Sequence, residues 1–151
     1  MAISPSMQTT VVEPRVQVVV GLLVNRDRNL FVQQRRSGTP CAGQWEFPGG
    51  KIEPGEDACS ALVRELDEEL GIQVQHARKL TTITHDYEHA GVELEVFAID
   101  SYRGIAAGME GQAFAWLDSE TVRQLNVLEA VHVILDHPEV GRMVQLSKSD
   151  E

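Results

Sequence analysis

One amphipathic helix, set between two turns that contain glycine, constrains this sequence more than any other feature. Residues 57–70 show helical spacing, and Gly71 follows them as a helix-ending residue. At about 100° per residue, the apolar side chains of the helix fall on one stripe, formed by Cys59, Leu62, Val63, Leu66 and Leu70. Such a stripe is stable only when it is buried, so we expect this helix to pack on a sheet.

Three carboxylates share a neighbouring face of the same helix. Glu68 and Glu69 follow Glu65 by three and four residues, so the three side chains project together, roughly 110° from the apolar stripe. Like charges at this spacing destabilise a helix by about 0.2–0.5 kcal/mol per pair, and Arg64 is the only cation within the helix. A hard divalent cation between the carboxylates explains the arrangement, and a solvated acidic face is the alternative.

Segments rich in Val, Leu and Ile predict strands on both sides of the helix. They comprise residues 16–24, 30–34, 45–47, 72–85, 92–102 and 112–117. The first two are predicted to pair as a hairpin around a polar turn. Asp118 or Ser119 caps a second predicted helix, and residues 128–135 form a third. The order of elements predicts an α+β fold, with a mixed sheet and helices packed against it.

The length of 151 residues fits one domain with one core. We assign that domain to residues 16–147, with a flexible leader at 1–15 and a polar tail at 148–151. The formal net charge of −10 argues against binding to a nucleic acid backbone. No apolar run reaches membrane-spanning length, and Cys41 and Cys59 form no disulfide framework, so a cytoplasmic location is expected.

The spacing of residues around the helix matches a known pattern. Gly50 is followed after five positions by Glu56, and after seven more by the run from Arg64 to Ile72, which reads RELDEELGI. This segment resembles the signature of the Nudix hydrolases, in which two glycines, five fixed polar positions and two apolar positions recur at this spacing. The resemblance implies the Nudix fold, a mixed curved β-sheet sandwiched between α-helices in an α/β/α arrangement.

Within that family, the sequence is most similar to the MutT branch of nucleoside triphosphate pyrophosphohydrolases. The run WEFPGGKIEPGE at residues 45–56 resembles the branch's approach to the signature, and Glu110-Gly111-Gln112 with Trp116 resembles its late loop and strand. The implied reaction is Mg²⁺-dependent hydrolysis of a nucleoside triphosphate to a monophosphate and pyrophosphate, with Mn²⁺ as a substitute ion. The implied partner is a small nucleotide, bound by a monomer or a homodimer.

The resemblance also implies roles for individual residues. Glu65, Glu68 and Glu69 are expected to bind metal, together with the carbonyl of Gly50. Glu56 is expected to bind metal through water or to support Arg64, whose guanidinium can hold a carboxylate with two hydrogen bonds. Glu110 matches a late-loop carboxylate that serves as a metal ligand or general base, and a solvated loop residue is its alternative reading.

Substrate contacts are less strongly indicated by the sequence. Arg36, preferred over Arg35, and Lys51 are candidates to hold phosphate, and Phe47 is expected near the base. The branch reads an oxidised guanine such as that of 8-oxo-dGTP with an Asn or Asp that aligns near Glu129. The nearest amide is Asn126, which could instead cap the final helix. His85 and His89 lie on or near a strand beside the predicted site, and neither is assigned a role.

Other functions fit parts of the pattern. A CTP or dCTP pyrophosphohydrolase, with a very similar approach to the signature, is the nearest alternative enzyme, followed by another hydrolase of nucleoside diphosphates linked to a further group. A non-catalytic Nudix-like nucleotide-binding module would be expected to lack a signature glutamate or the arginine, and none is missing here.

Overall fold

Seven strands and four helices make up the part of the chain that the computed structural model describes, residues 15–87 and 90–149. The strands are β1 (Val16–Leu22), β2 (Leu30–Gln34), β3 (Trp45–Glu46), β4 (Gly49–Lys51), β5 (Gln73–Tyr87), β6 (Ala90–Arg103) and β7 (Phe114–Leu117). The helices are α1 (Ala58–Leu70), α2 (Ser119–Gln124), α3 (Glu129–Asp136) and α4 (Pro138–Ser149). Residues 1–14 of the predicted leader and His89 lie outside the described residues.

The strands divide into two sheets rather than one. The larger sheet has the order β4-β1-β6-β5, with β1 and β6 parallel and the other pairs antiparallel. The smaller sheet is antiparallel in the order β3-β2-β7. A parallel pair inside an otherwise antiparallel sheet is the mixed pairing that the sequence predicts, because β1 and β6 are far enough apart in the chain for a long crossover.

The predicted hairpin between β1 and β2 forms only at its turn. Asn25 and Asn29 close that turn, with the Asn25 N–H donating to the Asn29 carbonyl at 2.9 Å. An isolated bridge joins Val24 to Leu30, after which β2 leaves to pair with β3 and β7. The prediction that β1 and β2 pair along their length is therefore wrong, because each strand has a better partner from a distant segment.

Both faces of β1 are covered, which explains the apolar run over its residues 18–22. One face carries Val20 and Leu22, which pack in a cluster with α3 and α4. The other carries Val19, which packs in a second cluster with the apolar face of α1. The larger sheet thus lies between helices, and the expected α/β/α arrangement is confirmed.

Two details of the helices differ from the sequence analysis. Val63 and Cys59 were predicted on the buried stripe of α1, yet Val63 is 43% exposed and Cys59 is also exposed, because the stripe that meets the sheet is narrower. Helix α4 was not predicted, and it includes residues 148 and 149 of the predicted tail. None of the described helices is long and apolar enough to cross a membrane.

Candidate active site

Helix α1 is held in place at both ends by local hydrogen bonds. The Asp57 carboxylate caps its first turn by accepting the Ser60 N–H at 2.7 Å. Gly71 ends it in the left-handed conformation, with φ of 72°, and its N–H donates to the Asp67 carbonyl. Burial of Leu62 and Leu66 against the sheet then sets the rotation of the helix, so that its acidic face points toward the short strand β4.

Glu69 is the most enclosed carboxylate on that face. Its Oε1 accepts two hydrogen bonds, from Gln33 Nε2 at 2.9 Å and from the Gly49 N–H at 3.2 Å. Burial raises the pKa of the Glu69 carboxyl to about 8, the Gln33 hydrogen bond opposes the rise, and the charge of Glu65 adds to it. A carboxylate in this environment is stabilised in its charged form by a nearby cation.

Glu65 lies directly against the glycine turn. A Cβ at Gly50 would fall 1.8 Å from Glu65 Oε2, so only glycine leaves room for this carboxylate. Burial raises the pKa of Glu65 to about 7, Arg64 opposes the rise, and the charges of Glu68 and Glu110 add to it. Four of the predicted site residues are therefore close enough to influence one another: Glu65, Glu68, Glu110 and Gly50.

Arg64 and Glu56 form an ion pair at the edge of this face. Two hydrogen bonds join the guanidinium to the carboxylate, and they lower the pKa of Glu56 to about 2. Of the two expectations for Glu56, this contact corresponds to support of Arg64. Glu110 and Arg36 lie opposite on exposed loops, where Arg36 Nη1 donates to the Glu110 carbonyl at 3.0 Å.

The oxygen atoms on this face suit a hard divalent cation, because they belong to carboxylates. Two of these carboxylates, Glu65 and Glu69, are partly buried, and burial raises the pKa of both, an effect that a bound cation would offset. No three His, Cys, Asp or Glu side chains within the described residues are close enough to hold an ion as they stand. Mg²⁺ can bind without three close side-chain ligands, because it usually keeps several waters and takes few protein ligands.

A cleft lies next to the acidic face. Its apolar part, of about 220 Å³, lies over the larger sheet, and its polar part, of about 140 Å³, reaches Glu69. The apolar part is lined by Val18, Val20, Arg35, Glu46, Phe47, Gly50, Lys51, Leu94, Ala130, Val131 and Ile134, among others. Arg36, Glu69, Glu110 and Gln112 line the polar part, and Arg35, Glu46 and Gly49 line both. The two parts adjoin at the three residues that line both, so the apolar slot lies next to the polar part that reaches the acidic helix.

Not every predicted substrate residue lies on that surface. Phe47 and Lys51 line the apolar part and Arg36 lines the polar part. Asn126 and Glu129 lie outside the residues that line either part. Asn126 is exposed and accepts a hydrogen bond from Gln44 Nε2, and Glu129 pairs with His85 Nε2 at 2.9 Å. Asn126 lies in the segment before helix α3, and Glu129 is the first residue of that helix.

The alternative reading of Asn126 as a helix cap is wrong. Leu128 occupies the N-cap position of α3, and no side chain hydrogen-bonds the helix there. The Asn126 carbonyl instead accepts the Trp45 N–H at 2.9 Å, which ties this segment to β3. A backbone hydrogen bond to a distant strand, and not a side-chain cap, therefore holds this segment.

The sequence analysis ranked Arg35 below Arg36 and gave no role to three other polar residues at the site, Glu46, Gln33 and Gln112. Arg35 and Glu46 form an ion pair at 3.0 Å inside the cleft, and burial raises the pKa of Glu46 while Arg35 opposes the rise. Gln33 and Gln112 are both buried, and Gln112 Nε2 donates to Gln33 Oε1 at 3.0 Å. A glutamine inside the apolar run of β2 was a signal, since a buried amide requires a partner.

Comparison with known proteins decides the family. Residues 19–137 match the NUDIX domain family, which is more than half of the chain. The chain belongs to the Nudix family. The predicted resemblance is confirmed, and the protein is a Nudix hydrolase acting on phosphoanhydride bonds.

Three similar proteins indicate which branch of the Nudix family the chain resembles. The 8-oxo-dGTP diphosphatase of Escherichia coli K12 is 34% identical over 103 residues, covering 68% of this chain and 80% of the relative. The CTP pyrophosphohydrolase of the same organism is 34% identical over 106 residues, covering 70% and 79%. A solved chain from work on MutT of Aliivibrio salmonicida and Vibrio cholerae aligns with a TM-score of 0.69 at 30% identity, covering 88% and 99%. The protein is therefore a MutT-like Nudix hydrolase, and members of this family generally use divalent metal ions.

Proposed function

We propose that this Nudix hydrolase converts a nucleoside triphosphate to a nucleoside monophosphate and pyrophosphate, using Mg²⁺, with Mn²⁺ able to substitute. The observation that carries the proposal is the position of the cleft. Its apolar slot is suited to a base, and its polar end reaches the carboxylate of Glu69. A nucleotide lying along the cleft would have its base over the sheet and its phosphates beside helix α1.

The proposed metal ligands are Glu65, Glu68, Glu69 and the Gly50 carbonyl. Bound divalent cations would lower the pKa of an attacking water and offset the negative charge of the phosphates. Arg64, fixed by Glu56, would hold the ligand face in shape through its contacts with Glu65 and Glu68. Glu110, which lines the polar part of the cleft from its loop, is proposed as a further metal ligand or as the general base.

The substrate's phosphates need cations besides the metal, because the site is acidic. Arg36 and Lys51 are the predicted phosphate contacts, and Arg35 is added because it lines both parts of the cleft. Phe47 supplies an apolar wall for the base. Asn126 and Glu129 remain candidates for base recognition only if the segment before α3 rearranges when a nucleotide binds.

Two substrate classes are proposed for the base. An oxidised purine such as 8-oxo-dGTP is supported by the 34% identity to the E. coli 8-oxo-dGTP diphosphatase. CTP or dCTP is supported by equal identity to the E. coli CTP pyrophosphohydrolase over a similar length. Either substrate would come from the cytoplasmic nucleotide pool, and we propose that the enzyme acts there as a monomer or homodimer.

A nucleotide panel with Mg²⁺ tests the proposal. We would incubate the protein with 8-oxo-dGTP, dGTP, CTP, dCTP, ADP-ribose and a dinucleoside polyphosphate, and measure pyrophosphate and orthophosphate separately. Pyrophosphate from a triphosphate supports the proposed reaction, and the ratio of kcat/KM values between oxidised purine and pyrimidine decides the base. AMP from ADP-ribose with no turnover of triphosphates would refute it.

Variants connect that activity to helix α1. Glu65→Gln and Glu69→Gln are each expected to lose most of the activity, because each removes a charged oxygen ligand. Glu120→Gln, on the exposed face of α2, is the matched control and should retain full activity. Undiminished turnover in the presence of a chelator would contradict the mechanism even if the reaction itself is found.

A further inference from the structure

The described residues contain a buried chain of side-chain amides that ends on Glu69. Gln112 Nε2 donates to Gln33 Oε1 at 3.0 Å, and Gln33 Nε2 donates to Glu69 Oε1 at 2.9 Å. The three residues are separated by 79 and 36 positions in sequence, so only the folded chain brings them together. Gln33 and Gln112 are 5% and 7% exposed.

The direction of each amide is determined by its partners. Gln112 Oε1 accepts the Glu110 N–H at 2.9 Å, so its nitrogen must point the other way, toward Gln33 and the Glu69 carbonyl. Gln33 must then accept with its oxygen and donate with its nitrogen. A reversal of either amide would place donor against donor or acceptor against acceptor in a buried site, at a large energetic cost.

The fixed amide directions leave the two oxygens of Glu69 in different environments. Oε1 already accepts Gln33 Nε2 and the Gly49 N–H, the second at 3.2 Å. Oε2 is therefore the oxygen left to face a ligand. Hydrogen bonds of this type orient the carboxylates that bind metals, and their loss generally weakens metal binding.

We propose that Gln33 and Gln112 are positioning residues, which form an amide relay that fixes the Glu69 carboxylate with Oε2 toward the metal and ties it to the loop bearing Glu110. The inference rests on the proposed function, because it takes Glu69 as a metal ligand. It extends that function by making the metal affinity depend on two residues outside the Nudix signature. Gln33 also lies beside Glu46, which lines the apolar part of the cleft. The relay therefore also contacts the proposed base slot.

Metal binding to the otherwise metal-free full chain tests the relay without reference to turnover. Methionine approximates the volume of glutamine without its amide, so we would prepare Gln33→Met, Gln112→Met and the double variant. The control is Gln73→Met, at an exposed glutamine at the start of β5. Mn²⁺ dissociation constants would be measured by electron paramagnetic resonance, at a temperature where circular dichroism shows each variant to be folded.

Gln33→Met is expected to raise the Mn²⁺ dissociation constant by about 10-fold or more, with a parallel fall in kcat at saturating metal. Gln112→Met should also raise the Mn²⁺ dissociation constant, by a smaller factor, although Gln112 does not touch the Glu69 carboxylate. Because the relay is serial, the double variant should match Gln33→Met to within about twofold. Gln73→Met should bind Mn²⁺ as the wild type does.

Two results would overturn the relay. One is a folded Gln33→Met that binds Mn²⁺ within about twofold of the wild type, and the other is a double variant whose effect is the product of the two single effects. If Gln33→Met does not fold, an unchanged dissociation constant for Gln112→Met would overturn it. A wild type that binds Mn²⁺ but releases no pyrophosphate contradicts the proposed function alone, whereas an active wild type with unaffected variants contradicts the relay alone.

Discussion

Arg64 holds the carboxylate of Glu56 with two hydrogen bonds, Nε to Oε2 at 2.8 Å and Nη2 to Oε1 at 2.9 Å. The same guanidinium donates from Nη2 to the Lys51 carbonyl at 3.1 Å and lies 3.4 Å from Glu68. Arg64 therefore joins the loop before helix α1 to the acidic face of that helix. Its planar shape matches a carboxylate with two parallel bonds, which a lysine cannot do.

Glu56→Gln is expected to lower kcat by about 10- to 100-fold while leaving the protein folded. The substitution replaces one of the two acceptor oxygens by an NH₂ donor, so the paired hydrogen bonds from Arg64 are lost and the guanidinium loses its fixed orientation. Steady-state kinetics with Mg²⁺ check this, with Glu53→Gln as the control because Glu53 is exposed and lies 3.8 Å from Arg64. Equal kcat in Glu56→Gln and wild type would show that the ion pair has no part in the reaction.

Gly50→Ala is expected to reduce activity by about 100-fold with little change in secondary structure. A Cβ at this position would lie 1.8 Å from Glu65 Oε2 and displace that carboxylate. Gly141→Ala is the matched control, because a Cβ there meets no atom within 4 Å. It should keep full activity and raise the free energy of unfolding by about 0.5–1 kcal/mol, since Gly141 lies within helix α4. Full activity in Gly50→Ala would argue against a close role for Glu65.

Leu66→Ala is expected to lower the free energy of unfolding by about 2–5 kcal/mol, measured by urea denaturation. Leu66 is fully buried between α1 and the sheet, so its removal leaves a cavity. Val63→Ala, one turn away and 43% exposed, should change stability by less than about 0.5 kcal/mol. A similar loss in both variants would contradict the observed rotation of the helix.

Mg²⁺ is expected to raise the thermal midpoint of the wild type, and a chelator to lower it again. The ion binds the folded carboxylate face, and at 100 times its dissociation constant it would add about 2.7 kcal/mol of stability. Glu69→Gln should show little or no such shift. An identical rise in the variant would place the stabilising ion away from helix α1.

Helix α1 was predictable because its determinants are local. The Asp57 cap acts three residues away, Gly71 ends the helix within one turn, and Glu65, Glu68 and Glu69 share a face because of the helical repeat alone. The run of Val and Leu along β1 similarly indicated a buried strand. For the same reason, the Nudix signature could be recognised without knowledge of the fold.

Pairing between distant segments could not be read in this way. The separation of β2 from β1, the Asn126 contact with Trp45 and the exposure of Val63 all depend on which surfaces meet. A strand offers hydrogen-bonding edges to any partner, so its sequence does not specify which strand it joins. Arg35 rather than Arg36 spans the cleft because of that pairing.

The sequence by itself determined the carboxylate face of helix α1, the caps that bound it and the family to which it belongs, since all of these depend on residues within a few turns of one another. The tertiary structure alone decided how that face is completed. Gln33 and Gln112 reach Glu69 across 36 and 43 positions of sequence, because the two sheets and the late loop meet beside α1. The role of a buried amide depends on its hydrogen-bond partners, and those partners come together only in the folded chain.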